Sequence, residues 1–269
     1  MLLQPFPLLL CFFLLYEGKG YAQAVPLPNA HAHNDYRHPR PLYDALAQGF
    51  TSIEADVLLI EGELYVGHDM PVGQHHLPTL RATYLEPLFE IAQANQGQIY
   101  PGYDHPVYLM IDIKTDAENT YKVLKAQLTE FQEILCVEKE GSLTKGAIRI
   151  FLSGNRPVQT VYHENERLVG VDGRPADLDK GYDANFMPVI SENYFKVLHW
   201  DGSGLIPPEE RKKLEKLAEN VHGQNKKLRL WGAPDNENTW KTLLDAGVDL
   251  INTDHLKGLH NFLEYYRAK

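Results

Sequence analysis

The chain has 269 residues, of which 43% are hydrophobic, and it carries a formal net charge of −10 at pH 7. This length is ample for a large buried core, and the composition has no collagen-like or disordered bias. The negative charge and the lack of a lysine- or arginine-rich block argue against a nucleic-acid-binding or basic membrane-surface protein. An anionic substrate remains compatible with this charge, because a bound divalent cation reverses the field locally.

The first 24 residues have the pattern of a secretory signal peptide. An apolar run from Leu8 to Tyr16 precedes Ala22-Gln23-Ala24, an Ala-x-Ala cleavage pattern. The run lacks the preceding Lys or Arg that is usual in a signal peptide. It is also too short to span a bilayer comfortably, which favours a cleaved signal over a retained anchor. We therefore predict a secreted or periplasmic protein without stable membrane insertion, cleaved after Ala24, with one domain over residues 25–269.

Short apolar, β-branched segments alternate with helical patterns along the rest of the chain. Eight segments have the composition of buried strands: Leu27–His33, Thr51–Val57, Val107–Ile113, Ala147–Leu152, Leu168–Val171, Met187–Ile190, Lys227–Trp231 and Val248–Asn252. Eight strands alternating with helices over about 250 residues predict an α/β fold, a single (β/α)8 TIM-type barrel. An open doubly wound sheet is the less consistent alternative, since no glycine-rich nucleotide-binding loop is present.

Polar pairs interrupt the first three predicted strands near their carboxyl ends. The pairs are His31 with His33, Glu54 with Asp56, and Asp112 with Lys114. Residues two apart in a strand share a face, and barrel enzymes place their chemistry at the carboxyl ends of the strands. Burying several carboxylates together is costly unless a cation or a shared proton compensates. Glu54, Asp56 and Asp112 therefore predict an all-oxygen site, which suits Mg²⁺ or Ca²⁺ better than Zn²⁺.

Two further positions follow strands and carry side chains suited to a site. The segment EGELYVGHDM (61–70) reads as extended and ends in His68-Asp69. Asp69 can orient the His68 ring by accepting one ring N–H, as carboxylates do for catalytic imidazoles. Asn155, just past the fourth predicted strand, is a candidate substrate contact because loops after barrel strands carry specificity.

The order of these motifs resembles the PLC-like phosphodiesterase superfamily of barrels. That superfamily includes glycerophosphodiester phosphodiesterases, phosphatidylinositol-specific phospholipases C and sphingomyelinase D enzymes. The resemblance is carried by the first-strand histidines, IEADV at 53–57, GHD at 67–69, Asp112 followed by Lys114, and the run from Leu228 to His255. It implies a phosphodiesterase that cleaves a glycerophosphodiester or a phospholipid-headgroup diester. The binding partner is then a small molecule or a lipid headgroup and not a nucleic acid.

The resemblance also implies roles for individual residues. Glu54, Asp56 and Asp112 correspond to metal ligands, and His33 and His68 to an acid–base pair. Lys114 corresponds to a phosphate contact and Trp231 to a wall of the substrate pocket. His31 is an alternative to His33, because both share one strand face.

The sequence departs from the glycerophosphodiesterase pattern in three places. His33-Asn34-Asp35-Tyr36 replaces His-Arg-Gly, the Glu-Asn-Thr signature is missing from the first loop, and the third ligand is Asp112 instead of Glu. The last feature is similar to the sphingomyelinase D branch. The reaction class therefore transfers from the resemblance better than the substrate does.

Two other functions compete with this interpretation. His31 and His33 also form the His-x-His pattern of metal-dependent amidohydrolases and phosphatase-like hydrolases, but such sites need further imidazoles from later strands, which the sequence does not offer. A barrel that binds a phosphorylated ligand without turnover is the second alternative, because fold does not guarantee activity.

Overall fold

The protein is seen in a computed structural model that describes residues 24–73 and 76–268. The strands are β1 (Leu27–Ala32), β2 (Phe50–Ile60), β3 (Glu63–Val66), β4 (Val107–Ile113), β5 (Val137–Lys139), β6 (Ser142–Thr144), β7 (Ile148–Gly154), β8 (Glu166–Arg167), β9 (Val169–Gly173), β10 (Val189–Asn193), β11 (Lys227–Trp231) and β12 (Leu250–Thr253). The helices are α1 (Tyr43–Ala47), α2 (Glu86–Ala94), α3 (Ala117–Glu130), α4 (Val158–Tyr162), α5 (Tyr194–Val197), α6 (Pro208–His222), α7 (Glu237–Asp245) and α8 (Leu256–Arg267).

Eight parallel strands close into a barrel. Their spatial order is β1, β2, β4, β7, β9, β10, β11 and β12, and β12 pairs with β1 to complete the ring. The predicted (β/α)8 barrel is confirmed, and the eight predicted strands have bounds that differ from the observed ones by at most three residues. The closing pairs that β1 makes on both sides exclude an open sheet.

Four further strands lie outside the ring. β3 turns back antiparallel to β2, so the second barrel strand continues into a hairpin. β5, β6 and β8 form a separate antiparallel sheet. Each of these three strands precedes a barrel strand in the chain, which places them on the amino-terminal side of the barrel, opposite the predicted site.

The inside of the barrel has an apolar layer below a polar one. Met110, Phe151, Val189 and Leu250 form a small buried cluster that is separate from the main core between strands and helices. Two positions later, on the same strand face, each is followed by a polar residue: Asp112, Ser153, Ser191 and Asn252. The alternation therefore fills the lumen with polar side chains toward the carboxyl ends of the strands.

Two predictions concern membranes and export. Residues 1–23 of the predicted signal peptide lie outside the described residues. Within the part of the chain that is described, no helix has the length and apolarity to cross a membrane.

Candidate active site

Three carboxylates converge at the carboxyl ends of β2 and β4. Asp56 stands beside Asp112 in the β2–β4 register, and Glu54 lies two residues before Asp56 on the same face. One oxygen atom of each side chain lies within 4.8 Å of the others, and no second such group of metal-capable side chains occurs within residues 24–73 and 76–268. Glu54 and Asp56 are buried, and Asp56 Oδ1 has no hydrogen-bond partner among the described residues. A buried, unpartnered oxygen in an all-carboxylate cluster fits a hard divalent cation.

Lys114 provides the nearest positive charge to this cluster. Its Nζ lies 3.1 Å from Asp112 Oδ1 and 3.4 Å from Asp56 Oδ2. Burial and the neighbouring Glu54 charge raise the pKa of Asp56 to about 6, against the attraction of Lys114. Burial likewise raises the pKa of Asp112, whereas Asp112 and Asp56 outweigh the burial of Lys114 and raise the pKa of its ammonium. One lysine therefore leaves the mutual repulsion of the carboxylates only partly compensated.

Glu54 is held by a buried network at the base of the cluster. Its Oε2 accepts a hydrogen bond from Arg229 Nη2 at 2.7 Å and lies 3.1 Å from His31 Nε2. Burial raises the pKa of Glu54, but Arg229 and His31 outweigh it and hold that pKa at about 2. Burial and the Arg229 charge lower the pKa of His31 to about 4. Near neutral pH, Glu54 is therefore ionised and His31 neutral.

Both ring nitrogens of His31 are engaged inside the barrel. Nδ1 lies 2.7 Å from Ser52 Oγ, Nε2 faces Glu54, and the side chain has no solvent exposure. This arrangement suits a residue that orients Glu54. Within the described residues, the three-carboxylate group that could share a metal ion includes no histidine, so the structure does not favour the His-x-His alternative.

The segment His33-Asn34-Asp35-Tyr36 forms the loop beside the carboxylates. Asn34 has left-handed backbone angles (φ 48°, ψ 42°), which asparagine tolerates better than most residues. Asp35 is fully buried, and its Oδ2 accepts hydrogen bonds from Leu42 N at 2.5 Å and from Tyr84 Oη at 2.8 Å. Tyr36 Oη donates to Asp56 Oδ2 at 2.8 Å. The motif that departs from the expected His-Arg-Gly thus anchors the loop and contacts a carboxylate of the cluster.

Asp35 gives a pH-dependent prediction. Burial raises the pKa of its carboxyl from 3.8 to about 6. The protonated form therefore favours folding below pH 3.8, and this contribution is lost as the pH rises through about 6. Between about pH 4 and pH 7, wild type should lose up to about 3 kcal/mol of unfolding free energy relative to Asp35→Asn. Urea unfolding of both proteins across this range measures the difference, and a pH-independent difference would contradict the prediction.

The two histidines with predicted acid–base roles lie on different loops. His33 Nδ1 is 2.8 Å from Asp254 Oδ1, and the side chain is partly exposed. His68 Nδ1 is 2.9 Å from Asp69 Oδ1, the predicted pairing, and its ring is about half exposed. Gly67 N donates to the Asp56 carbonyl oxygen at 3.0 Å, which ties the His68 segment to the strand that carries Glu54 and Asp56. Each ring is thus oriented by a carboxylate, as an acid–base imidazole requires.

Comparison with known families agrees with this geometry. The model of the AIM6-like phosphodiesterase domain matches residues 21–171, more than half of the chain. The chain belongs to this family. The model of the glycerophosphoryl diester phosphodiesterase family matches residues 227–257, the segment that contains β11, α7 and β12. The predicted place of the chain in the PLC-like phosphodiesterase superfamily is confirmed.

Fungal proteins are similar over most of this AIM6-like chain. The Altered inheritance of mitochondria protein 6 homolog of Arthroderma benhamiae is 27% identical over 88% of this chain and 84% of that protein. Altered inheritance of mitochondria protein 6 of Saccharomyces cerevisiae is 27% identical over 86% of this chain and 69% of its own. A glycerophosphodiester phosphodiesterase from Parabacteroides distasonis has a similar crystal structure, with a TM-score of 0.55 and 14% identity over 90% of this chain and 98% of that one. The last similarity shows the fold.

These relatives overturn the predicted secreted or periplasmic location. Their names refer to the inheritance of mitochondria, which is an intracellular context. The prediction depended on the apolar run from Leu8 to Tyr16, which has no positive residue ahead of it. A short apolar run without that positive region does not specify export.

The remaining predicted positions of the AIM6-like domain lie at the barrel mouth. Trp231 ends β11 with 38% of its surface exposed, on the strand face that also carries Arg229. Asn155 is exposed, and its Nδ2 donates to Thr115 O at 3.0 Å. Arg229 was not among the predicted site residues, although its position two residues before Trp231 has the same alternation that identified Glu54.

Proposed function

We propose that this protein is a divalent-cation-dependent phosphodiesterase that cleaves a glycerophosphodiester or a phospholipid-headgroup diester. The observation that carries the proposal is the group of Glu54, Asp56 and Asp112 beside Lys114 at the carboxyl ends of the barrel strands. Membership of the AIM6-like phosphodiesterase family supports the reaction class. The net charge of −10 favours a small-molecule or lipid-headgroup substrate over a nucleic acid.

Glu54, Asp56 and Asp112 would hold the cation, Mg²⁺ or Ca²⁺, because all three donors are carboxylate oxygens. The ion, when bound, withdraws negative charge from a phosphate oxygen and so lowers the barrier to nucleophilic attack. Glu54 offers its second oxygen, because Arg229 and His31 occupy Oε2. Lys114 adds a fixed positive charge where the phosphate would lie.

His33 and His68 are proposed as the acid–base pair. When Nδ1 of each ring donates to its carboxylate partner, Asp254 or Asp69, Nε2 is left as the unprotonated nitrogen, and His33 Nε2 lies 3.2 Å from Asn34 Nδ2. One imidazole accepts the proton of the attacking water or substrate hydroxyl, and the other donates a proton to the departing alkoxide. His31 has no free ring nitrogen. It is therefore proposed to orient Glu54 and not to act as the acid or base in place of His33. Trp231 and Asn155 are proposed substrate contacts at the mouth.

Removing either imidazole tests the proposal. We expect His33→Ala and His68→Ala each to lower kcat for bis-p-nitrophenyl phosphate by about 10²–10⁴-fold, the usual contribution of general acid–base catalysis. Metal affinity, measured by calorimetric titration, should stay within about threefold of wild type, since the carboxylate partners of the two rings are Asp254 and Asp69 and not Glu54, Asp56 or Asp112. His222→Ala, which removes an exposed histidine paired with Asp249 near the end of α6, is the matched control. Full activity in both site variants would contradict the acid–base roles.

Gly154 gives a steric test of the cation site. An added Cβ would lie 2.1 Å from Asp112 Oδ1 and 2.5 Å from Ile113 O, so Gly154→Ala must displace the Asp112 carboxylate. Gly181→Ala is the control, because Gly181 has a similar positive φ but open space around its Cβ. Gly181→Ala should lose about 1–2 kcal/mol of stability through backbone strain, and Gly154→Ala should lose more, because its Cβ also meets the Ile113 carbonyl oxygen. Only Gly154→Ala should weaken Mg²⁺ or Ca²⁺ binding, by at least about tenfold. Equal affinities in the two variants would count against Asp112 as a ligand.

A further inference from the structure

A polar cleft of about 490 Å³ opens beside the carboxylates, between the chain segments that follow β4 and β7. Gly154, Asn155 and Arg156 line one side, and Thr115 and Asp116 line the other. The proposed mechanism uses only Asn155 of these residues. The cleft therefore has the position of a subsite next to the reacting phosphate.

Arg156 is a cation without a partner in this cleft. Its Nε is buried and has no hydrogen-bond partner, and its guanidinium forms no ion pair with any residue in the described ranges. Arginine stays protonated in proteins, so the side chain holds a permanent positive charge in a half-buried place. Such a group normally pairs with an anion, but no carboxylate among the described residues forms an ion pair with it, although Asp172, Asp177 and Asp112 are near enough for their charges to act on it.

The carboxylates around Arg156 are already engaged elsewhere. Asp172 accepts hydrogen bonds from Ser153, Ser191 and Arg174, the last at 2.7 Å. The neighbouring Asp177 and Asp116 are likewise committed. Asp177 pairs with Lys180 and accepts a bond from the Arg174 backbone, and Asp116 caps α3 through a bond from Asn119 N. An anion from outside the chain is therefore the natural partner for Arg156.

The cleft is connected to the carboxylate cluster through Gly154. An added Cβ there would lie 2.1 Å from Asp112 Oδ1, so Gly154, which lines the cleft, is directly beside the Asp112 carboxylate. Arg156 forms no ion pair with Glu54, Asp56 or Asp112, although the Asp112 charge acts on it, whereas Lys114 contacts two of them. Lys114 is thus placed for the reacting phosphate, and Arg156 for a group farther along one substituent.

We propose that Arg156, assisted by Asn155, binds a second anionic group on one alcohol of the phosphodiester, a carboxylate or a phosphate. The proposal rests on the proposed phosphodiesterase function and narrows its substrate class to diesters with an additional negative charge. A guanidinium binds such a planar or tetrahedral anion through two parallel hydrogen bonds. In a protein of net charge −10, a local unpaired cation also selects the orientation in which an anionic substrate enters.

Two matched substrates test the proposal. They are p-nitrophenyl 3-carboxypropyl phosphate and p-nitrophenyl 3-carbamoylpropyl phosphate, which have the same leaving group and shape and differ by one charge. Wild type should prefer the carboxylate by about tenfold or more in kcat/KM, the effect of one charge-assisted hydrogen bond. In Arg156→Gln the preference should fall to about one, with kcat/KM for the amide changed less than threefold. Arg211→Gln, which removes a distant arginine on α6, should keep the wild-type preference.

Other outcomes would overturn the proposal in distinguishable ways. A wild-type protein without preference for the carboxylate shows that no anion subsite acts on these substrates. An equal decrease in kcat/KM for both substrates in Arg156→Gln shows that Arg156 contacts the reacting phosphate instead. If neither ester is hydrolysed, the phosphodiesterase function fails by itself, and calorimetric titration with the expected product, 4-(phosphonooxy)butanoate, decides the subsite. Binding at least fivefold weaker in Arg156→Gln would support it, and equal affinity would overturn it.

Discussion

Asp56→Asn is expected to abolish metal-dependent phosphodiester hydrolysis while leaving the protein as stable as wild type or more so. Loss of a residue that merely orients a metal ligand lowers metal affinity or activity by about 10–100-fold. Removal of a ligand itself should therefore lower kcat by more than about a hundredfold. Asp56 is buried beside two other acids, and its pKa is raised to about 6. Above that pH its charge opposes folding, and the amide removes the repulsion while its oxygen still accepts from Tyr36.

The combination of lost activity and retained stability distinguishes a functional carboxylate from a structural one. Activity on bis-p-nitrophenyl phosphate, titration with Mg²⁺ and Ca²⁺, and urea unfolding near pH 7 measure the three quantities. Asp104→Asn is the control, because Asp104 is an exposed carboxylate whose partner is Lys145. Strong destabilisation of Asp56→Asn with unchanged metal affinity would show that Asp56 serves the fold alone.

Arg229→Met is expected to destabilise the protein by about 3–5 kcal/mol, because it leaves the Glu54 carboxylate buried without its main partner. Arg229 is 3% exposed, and its Nη2 lies 2.7 Å from Glu54 Oε2. The same substitution leaves Asn252 Oδ1 without its donor, because this oxygen accepts a hydrogen bond from Arg229 Nε at 2.9 Å. Metal affinity should fall as well, since the pKa of Glu54 rises once the guanidinium is gone.

A double-mutant cycle with Glu54→Gln measures this pair directly. Because the amide carries no charge, Arg229→Met should cost much less in the Glu54→Gln background than in wild type. Arg211→Met breaks the more exposed Arg211–Glu215 pair on α6 and should change stability by only about 0–1 kcal/mol. Equal costs of Arg229→Met in both backgrounds would show that the pair does not stabilise the fold.

The sequence predicted the barrel because its eight strands are short apolar segments between helical patterns. It also predicted the carboxylate cluster, since Glu54, Asp56 and Asp112 follow the two-residue alternation at the ends of adjacent strands. The closed ring sets the register between strands. A predicted barrel therefore already implies that Asp56 and Asp112, which are far apart in the chain, lie side by side.

Other features depend on contacts that no local pattern encodes. Arg229 is 175 residues from Glu54 in the chain, and only the closed ring brings them together. The strands β5, β6 and β8 are two or three residues long, too short for a periodic signal. Arg156 lacks an ion-pair partner because Asp172 and Asp177 are bound by other residues. Only the hydrogen bonds of the folded structure show this. The predicted cellular location was wrong because a short apolar run alone is a weak targeting signal.

The cation-dependent phosphodiesterase function is tested most directly by hydrolysis of bis-p-nitrophenyl phosphate by EDTA-treated protein, before and after addition of Mg²⁺ or Ca²⁺, in wild type and in Asp112→Asn. We expect no turnover after EDTA, recovery of wild-type activity with one of these ions, and no recovery in Asp112→Asn. Turnover that resists EDTA, or equal recovery in the variant, would contradict a cation site built from Glu54, Asp56 and Asp112.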